Sequence, residues 1–529
     1  MIDIIASLKA IAAAISSAGN APIPGQVELN ECKIQHGAGA IYDISALVSE
    51  VHVYEDIEQV GVTGYLQVVD NVNLIRNGLI IGEELLWLKF ATAGTTVAGQ
   101  DQFYVDYGTT NDAPLYVHKV EEIESPETVY GTTTMSVITY RLHFCSTEMI
   151  TNDRIRISKT YQGLISDIVF DVMTKDLGVT KKPVTCTETK DHHHFVIPNM
   201  RPFDFILSLA GKARCPTNET VKGPQPATAK NMFRGFHSDF VFFETARRDN
   251  QSDGGWFFVP LQREMSDDLH FTLNNSATTT GGEVSAAGAE AASIINYPAA
   301  MLRSIRFDFV TDGDKWLSVG DGNWAGKNIR HNGYTKSFDV YKSDYLKHLD
   351  NYLYSHASET PVYWPPNPAW RKISEWPESN VTLSTSSGKD VSNVNTNTRR
   401  ADYPWKKTDP EHSLSRKLQT NHMLNYQRIQ CEMFGISGLQ IGKNATAEFP
   451  QIGMASGETQ QTGLPGSKTT YPSDRNNNTW MITKVAHHLV FSADVPYTTT
   501  MELSNTRRTT ADELPSYGSL VSMSRGANR

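Results

Sequence analysis

Two short runs of histidine are the most recognisable candidates for a metal site in this sequence. Asp191–His194 reads DHHH, and His487–His488 is a second pair. Imidazole nitrogens are common zinc ligands, but neighbouring residues of a strand point to opposite faces, and no second ligand cluster stands at a useful spacing. We therefore predict no metal site. For His487–His488 we expect one ring inside the protein and the other at an interface.

Paired carboxylates are the other candidates, because glycoside hydrolysis uses two acidic side chains that face one cleft, about 5–9 Å apart. The adjacent acidic pairs are Glu83–Glu84, Glu121–Glu122 and Asp267–Asp268. Solvated loop charges account for all three pairs. The sequence has no GxSxG nucleophile elbow, no Walker phosphate loop and no HExxH motif. We therefore predict a protein that is not an enzyme, with no catalytic residue and no cofactor.

The composition is that of a large globular chain. Its 529 residues are 39% hydrophobic and 20% charged, which allows three or four domains. The formal net charge of −10 argues against nucleic acid as a bound ligand, but it is compatible with DNA that passes a negative surface without sticking. The five cysteines are scattered and odd in number, so we expect inert thiols in a protein that assembles in a reducing cytosol.

The stretch from 54 to 90, which contains the Glu83–Glu84 pair, is predicted as the framework of a β-barrel unit. Gly64 precedes a β-rich run at 65–69, and we interpret it as a glycine that breaks the chain. A second strand is predicted from Ile81 onwards, because apolar residues alternate there.

A similar pattern recurs near the C-terminus. Val117–Val120 reads VHKV and resembles Ile482–Val485, which reads ITKV. A Thr-x-x-Leu pattern with a later Ser146 follows the first, and a Thr-x-x-Met pattern with Ser504 follows the second. Two such units far apart indicate a duplicated module. Two unrelated amphipathic hairpins with a shared pattern would account for the same residues, and the sequence leaves both readings open.

The region between the two units mixes helices with strands. Apolar residues at helical spacing predict a helix over 164–173, and Pro202 begins a second helix that buries Phe205 and the apolar residues after it. The aromatic runs Phe240–Glu244 and Trp256–Val259 are predicted to pair as a hairpin.

We predict an α+β fold dominated by strands. Met1–Ser17 is apolar at helical spacing, so we expect a helix that docks on a neighbour rather than a signal peptide or a bilayer span. The segments 272–294 and 382–398 are predicted as surface loops. In chain order the predicted parts are the apolar helix and linker (1–25), a first tube-like β-barrel domain (26–150), an α/β middle domain (151–300), an irregular Trp/Tyr/Pro-rich connecting region (301–415), a second tube-like β-barrel domain (416–510) and a tail (511–529).

Several stretches, taken in this order, resemble the central baseplate hub proteins of contractile-tailed bacteriophages, which are related to the hub half of VgrG-type spike proteins. They cover about two thirds of the chain, and their motifs are structural. They are Gly64–Asp70 with Ile81–Phe90, then Tyr140–Ser146 with Arg154–Gly163 and Asp167–Val172, then Val196–Ile206 with Phe240–Glu244 and Trp256–Val259, then Ala325–Lys327 with Phe338–Tyr345, and finally Leu439–Pro450 with Trp480–His487 and Tyr497–Leu503.

The resemblance implies a homotrimer whose paired barrels form a pseudo-sixfold ring around a DNA channel. Such a ring would join a hexameric tail tube, or its initiator protein, to a trimeric central spike. Baseplate wedge proteins would be further partners, DNA would only pass through, and no stable membrane insertion is expected. The implied location is the tail baseplate of the virion, assembled in the host cytoplasm.

Two alternatives stay open at this point. A tailocin or type VI-like secretion spike uses the same architecture, but such proteins usually carry a needle on the same chain. Here 26 residues follow Leu503 (529 − 503), without a repeating needle pattern, which favours the phage hub. A tail-associated cell-wall hydrolase is the other alternative, and the absence of a catalytic motif argues against it.

Overall fold

Strands dominate the computed structural model of this chain. It describes residues 25–78, 80–93, 104–124, 127–130, 133–189, 192–213, 240–248, 254–261, 269–274, 304–310, 325–332, 336–344, 380–386, 427–448 and 479–505. Strands of the first part are β1 (Val27–His36), β2 (Ile41–Asp43), β3 (Val48–Asp56), β4 (Thr63–Asp70), β5 (Glu84–Thr92), β6 (Tyr104–Tyr107), β7 (Leu115–Glu124), β8 (Glu127–Tyr130), β9 (Thr133–Ser136), β10 (Ile138–Ser146), β11 (Thr160–Leu164) and β12 (Val184–Cys186).

The remaining strands reach the C-terminal part of the chain. They are β13 (His192–Val196), β14 (Phe240–Thr245), β15 (Gly255–Pro260), β16 (Leu269–Asn274), β17 (Ser304–Val310), β18 (Ala325–Asn332), β19 (Ser337–Asp344), β20 (Asn380–Ser386), β21 (Gln427–Phe434), β22 (Asn444–Glu448), β23 (Thr479–Val490) and β24 (Tyr497–Asn505). The α-helices of the described residues are α1 (Thr147–Arg154), α2 (Ile165–Asp171) and α3 (Pro202–Ala210). A 3₁₀ turn covers Ser45–Leu47, and a π-helical turn over Val172–Asp176 continues α2.

One sheet of 14 strands contains both ends of the described chain. Its main path runs β17-β21-β24-β23-β3-β4-β10-β7-β5-β1-β2, while β6 pairs with β5, and β22 links β23 to β16. The predicted β-dominated class is therefore confirmed. The pairings among the described strands leave this sheet open, so the prediction of two closed barrels is not confirmed.

Twelve of the 14 strands form two six-stranded units with one topology, and β2 and β6 are additions to the first unit. The first unit runs β3-β4-β10-β7-β5-β1, and the second runs β17-β21-β24-β23-β22-β16. Numbered by chain order within each unit, both read 2-3-6-5-4-1. One pairing differs, because β1 is antiparallel to β5 whereas β16 is parallel to β22. A shared order of six strands is far more specific than a shared hairpin pattern, and it favours duplication.

Matching β-bulges support the same correspondence. In β7 the pairing with β10 skips His118, and in β23 the pairing with β24 skips Thr483, its counterpart in the VHKV and ITKV motifs. In β3 the pairing with β4 skips Ser49, and in β17 the pairing with β21 skips Ile305. A bulge is an irregularity that fixes local register and twist, so two bulges at equivalent positions set the two units in the same residue-by-residue alignment. This alignment matches Ser504 with Cys145, not with Ser146 as the sequence pattern had paired them.

Each unit and the region between them has its own hydrophobic core. The first core includes Leu66, Val68, Leu142 and Phe144, and the second includes Met501 among residues of β21, β23 and β24. A third core packs α2 and α3 against the aromatic strands β14 and β15. The predicted hairpin is confirmed, since β14 pairs with β15. The predicted helix at Pro202 is confirmed as α3, which buries the residues predicted from its spacing.

Several local predictions were wrong. Gly64 lies inside β4 rather than in a break, because its Cβ would stand 2.2 Å from the carbonyl oxygen of His52 and only hydrogen fits there. The predicted loops 272–294 and 382–398 begin inside strands β16 and β20. Strands β17 to β20 occupy part of the region predicted as irregular, where weak periodicity hid them. The N-terminal helix over 1–17, the remainder of both loops and the C-terminal tail fall outside the described residues.

Candidate assembly interface

The two units meet along one seam, formed by β3 of the first unit and β23 of the second. The strands are antiparallel, and their register runs from Lys484 opposite Asp56 to Val490 opposite Glu50. β23 pairs with β22 only through residues 479–481, so the rest of this long strand extends beyond its own unit. The seam is thus an edge-to-edge strand contact between two units of the same topology.

The core face of the seam is closely packed. Tyr497 and Leu489 belong to the second unit in sequence but are completely buried in the core of the first. The ring of Phe90 in β5 meets the ring of Tyr497 edge-on, with centroids 5.9 Å apart. The Tyr497 hydroxyl and Nδ1 of the buried His487 lie 2.8 Å apart and share a hydrogen bond. Large aromatic side chains stabilise a contact through the apolar area that they bury and through edge-to-face ring packing. The two units are therefore packed tightly against each other at this seam.

Backbone hydrogen bonds continue the seam at both ends. The Ile57 amide donates to the Thr483 carbonyl at 2.9 Å, and the Phe491 amide donates to the Ser49 carbonyl at 3.1 Å. These bonds occupy polar groups that an edge strand would otherwise present to solvent or to another chain.

The opposite face of the seam is polar and carries a histidine pair. Nδ1 of His52 and Nδ1 of His488 lie 2.8 Å apart, so one ring donates a hydrogen bond to the other. Burial lowers the pKa of His488 to about 4, helped by the neighbouring His52, and burial together with Arg141 lowers the pKa of His52. Both rings are therefore neutral at pH 7. His487 lies inside the protein, as predicted for one of the two rings, and the placement of His488 at an interface with another chain stays a prediction.

A buried carboxylate fixes the middle region to the seam. Glu55 of β3 is fully buried and accepts hydrogen bonds from four donors of β6, the last residue of β14 and the segment after it. These are the Tyr107 hydroxyl (2.7 Å), an Arg248 guanidinium nitrogen (2.7 Å), the Thr245 hydroxyl (3.1 Å) and the Ala246 amide (3.1 Å). Arg248 is equally buried, with 2% of its side chain exposed. A paired and hydrogen-bonded buried charge holds its neighbours in one arrangement.

A second buried charge cluster lies between α1 and β14. Lys182 Nζ lies 2.7 Å from a carboxylate oxygen of Glu148 and 2.7 Å from one of Glu244. Burial by itself would lower the pKa of Lys182, but the two carboxylates outweigh this effect and raise it. Ser146 donates a hydrogen bond to Glu244, which attaches the end of β10 to the same cluster. The cluster places one ammonium between two carboxylates and ties α1, β14 and the end of β10 together.

The histidine and carboxylate candidates take structural roles. His193 stacks on Phe195 in β13, with ring centroids 5.4 Å apart, between the exposed His192 and His194. Glu84 is buried and accepts hydrogen bonds from the amides of the preceding turn. No group of three or more metal-binding side chains occurs among the residues that the structure describes, and none of their helices is long and apolar enough to cross a bilayer.

Of the other two carboxylate pairs, the structure places Glu121. Glu121 lies 3.1 Å from Nε2 of His143 and 3.5 Å from Nζ of Lys119, on the exposed surface of β7. Asp267–Asp268 lies outside the described residues. What sequence reasoning missed is Glu55 and Arg248, because a single acid in a strand gives no sign of its burial.

No family model matches this chain, and no curated protein matches it either. Several solved structures, in contrast, match this chain. A tail protein from Neisseria meningitidis MC58 is 8% identical over 92% of this chain and 99% of its own length, with a TM-score of 0.44. The 43 kDa tail protein of prophage MuSo2 from Shewanella oneidensis is 9% identical over 92% of this chain and 100% of its own, with a TM-score of 0.41.

A secretion-related complex is also similar. The Francisella PdpA-VgrG complex, in its half-lidded form, contains a chain that is 12% identical over 98% of this chain and 66% of its own, with a TM-score of 0.40. The structural neighbours are thus tail proteins and VgrG-containing complexes, the same groups that the sequence resemblance names. Identities and TM-scores at this level do not by themselves assign a function to this chain.

Proposed function

We propose that this chain is the central hub protein of a contractile phage tail baseplate, acting as a homotrimeric ring between a hexameric tail tube and a trimeric spike. The observation that carries the proposal is the seam between β3 and β23. One polypeptide folds two units with the same strand order and the same bulges, and joins them edge to edge.

The physical reason lies in symmetry. Two like units joined by a head-to-tail strand contact form a heterologous interface, which closes into a ring if the rotation at each step permits it. Three chains with two units each would present six similar units to a tube and three identical faces to a spike. A chain with a single unit, or with two unlike units, could not serve both neighbours in this way.

The polar face of the sheet is suited to the wall of a channel. Its charges occur as opposite pairs, for example Lys484 with Asp56 at 3.3 Å and Arg428 with Glu502 at 3.1 Å. Charges that are already paired have little tendency to bind phosphate groups, and the chain as a whole is acidic. Such a wall would let DNA pass without holding it.

The proposal is tested by the mass of the purified protein and by its partners. Native mass measurement is expected to give three copies of the 58.8 kDa chain, and electron microscopy a ring with near-sixfold appearance. Co-expression with the neighbouring tail genes should yield a complex that contains a spike and a tube or tube-initiator protein. A monomer at high concentration that binds no spike would refute the hub.

A further inference from the structure

Among the strand edges that have no strand partner within the described residues, two correspond to edges used in the seam. One is the outer edge of β17, which pairs with β21 on its other side and stands at the end of the sheet path. The other is the edge of β7 beyond Tyr116, since β5 pairs with β7 only through Leu85 and Leu86. Exposed edges of this kind are templates for pairing with another chain.

These two edges are the counterparts of the two edges that form the internal seam. β17 occupies in the second unit the place that β3 occupies in the first, and both contain a bulge at the second residue. β7 occupies in the first unit the place that β23 occupies in the second, with the bulges at His118 and Thr483 matching. Within the chain, the edges of β3 and β23 pair with each other, while the equivalent edges of β17 and β7 have no strand partner among the described residues.

We propose that β17 of one copy pairs with β7 of the next copy in the antiparallel arrangement that β3 and β23 adopt inside the chain. The partner is a second copy of this chain, because the two leftover edges are equivalent to two edges that are already seen to fit each other. The contact rests on the proposed trimer and specifies which strands close it.

The matching bulges fix the register of this contact. Within the chain, Tyr54 lies opposite Ala486 across the seam. Counting from the bulges, Val310 is the counterpart of Tyr54, and Glu121 is the counterpart of Ala486. Val310 of one copy should therefore lie opposite Glu121 of the next. Directly opposite residues of antiparallel strands have Cβ atoms about 5 Å apart, within reach of a short thiol-specific cross-linker.

The test mixes two variants of the full-length chain, each with one introduced cysteine. Glu121→Cys and Val310→Cys are expected to give a cross-linked dimer only when the two are mixed and reassembled. A chain that carries both substitutions should give a ladder that ends at three copies. The positive control is Tyr54→Cys with Ala486→Cys in one chain, which should cross-link internally with the same reagent. The unmodified chain measures any background from its own cysteines.

The register is tested by moving one cysteine. Asp308→Cys replaces Val310→Cys and displaces the thiol by two residues along the same strand face, about 6–7 Å. This variant should cross-link at least tenfold less with Glu121→Cys. Equal cross-linking of Asp308→Cys and Val310→Cys would overturn the register.

Two outcomes separate this inference from the proposed function. Three copies by native mass, with the internal control cross-linked and no product between Glu121→Cys and Val310→Cys, would overturn the strand contact and leave the trimer standing. A protein that stays monomeric while the internal control cross-links would refute both. Cross-linked products that end at three copies support both.

Discussion

Replacement of Glu55 by glutamine should destabilise the protein far more than its single lost charge suggests. Glutamine keeps the size of the side chain but removes the charge that balances Arg248, whose guanidinium lies 2.7 Å away and is 2% exposed. Leaving a buried charge uncompensated costs about 3–5 kcal/mol. Since whole domains are stable by about 5–15 kcal/mol, the loss should be visible in any unfolding experiment.

The matched control is the same substitution at Glu31. Its carboxylate lies 2.8 Å from Nζ of Lys33, almost the same distance, but both side chains are more than a third exposed. An exposed pair of this kind contributes little to stability, because water and salt screen the two charges. Urea unfolding of E55Q and E31Q, compared with the unmodified chain, should therefore separate the two by several-fold in free energy.

A double substitution completes the test. Arg248→Met removes the charge that E55Q leaves buried, so the E55Q/R248M chain should recover a large part of the stability that E55Q loses. Equal losses in E55Q and E31Q would refute the reasoning. A stability loss in the double variant equal to the sum of the losses in E55Q and R248M would also refute it, because it would show that the two groups do not interact.

Three further outcomes are expected. The pKa of His488 is about 4 in the folded chain and about 6.5 in the unfolded chain, so the unfolded chain binds the proton first as the pH falls. The contribution of His488 to stability is therefore complete above pH 6.5 and is lost towards pH 4. His488→Gln should reduce the difference between the free energies of unfolding measured in urea at pH 7.5 and at pH 5. Gly64→Ala places a Cβ 2.2 Å from a backbone oxygen and should cost about 1–3 kcal/mol, whereas Gly211→Ala, with its nearest atom at 3.5 Å, should change the melting temperature little. Asp56→Asn removes the partly exposed pair with Lys484 and should cost less than about 1 kcal/mol, since packing and backbone bonds hold the seam.

Local patterns predicted many of the elements, because they depend on neighbouring residues alone. The apolar spacing after Pro202 predicted α3 and its buried face, and the aromatic runs predicted the β14–β15 hairpin. The VHKV and ITKV motifs predicted the correspondence between β7 and β23, which the shared bulge supports. Helix α1 was missed because Thr147–Arg154 is mostly polar and has no apolar residues at helical spacing.

The candidate interface could not be predicted from the sequence. Alternation along a strand indicates which residues share a face, but it does not indicate which strand lies alongside. β3 and β23 are more than 400 positions apart, and the sequence had placed β17 in an irregular region rather than in the second unit. The burial of Glu55 is likewise visible only once β6, the last residue of β14 and the segment after it pack around this side chain.

The sequence by itself therefore determined part of the strands, among them the β14–β15 hairpin, the helix at Pro202 and the motif shared by β7 and β23, since these follow from side-chain periodicity and backbone preference. The tertiary structure decided that the two units share a strand order, that they join through β3 and β23, and that β7 and β17 each keep an edge without a strand partner among the described residues. The physical reason is that strand pairing is a non-local contact. Its partner is selected by packing and hydrogen bonding across the whole fold, not by any property of the strand alone.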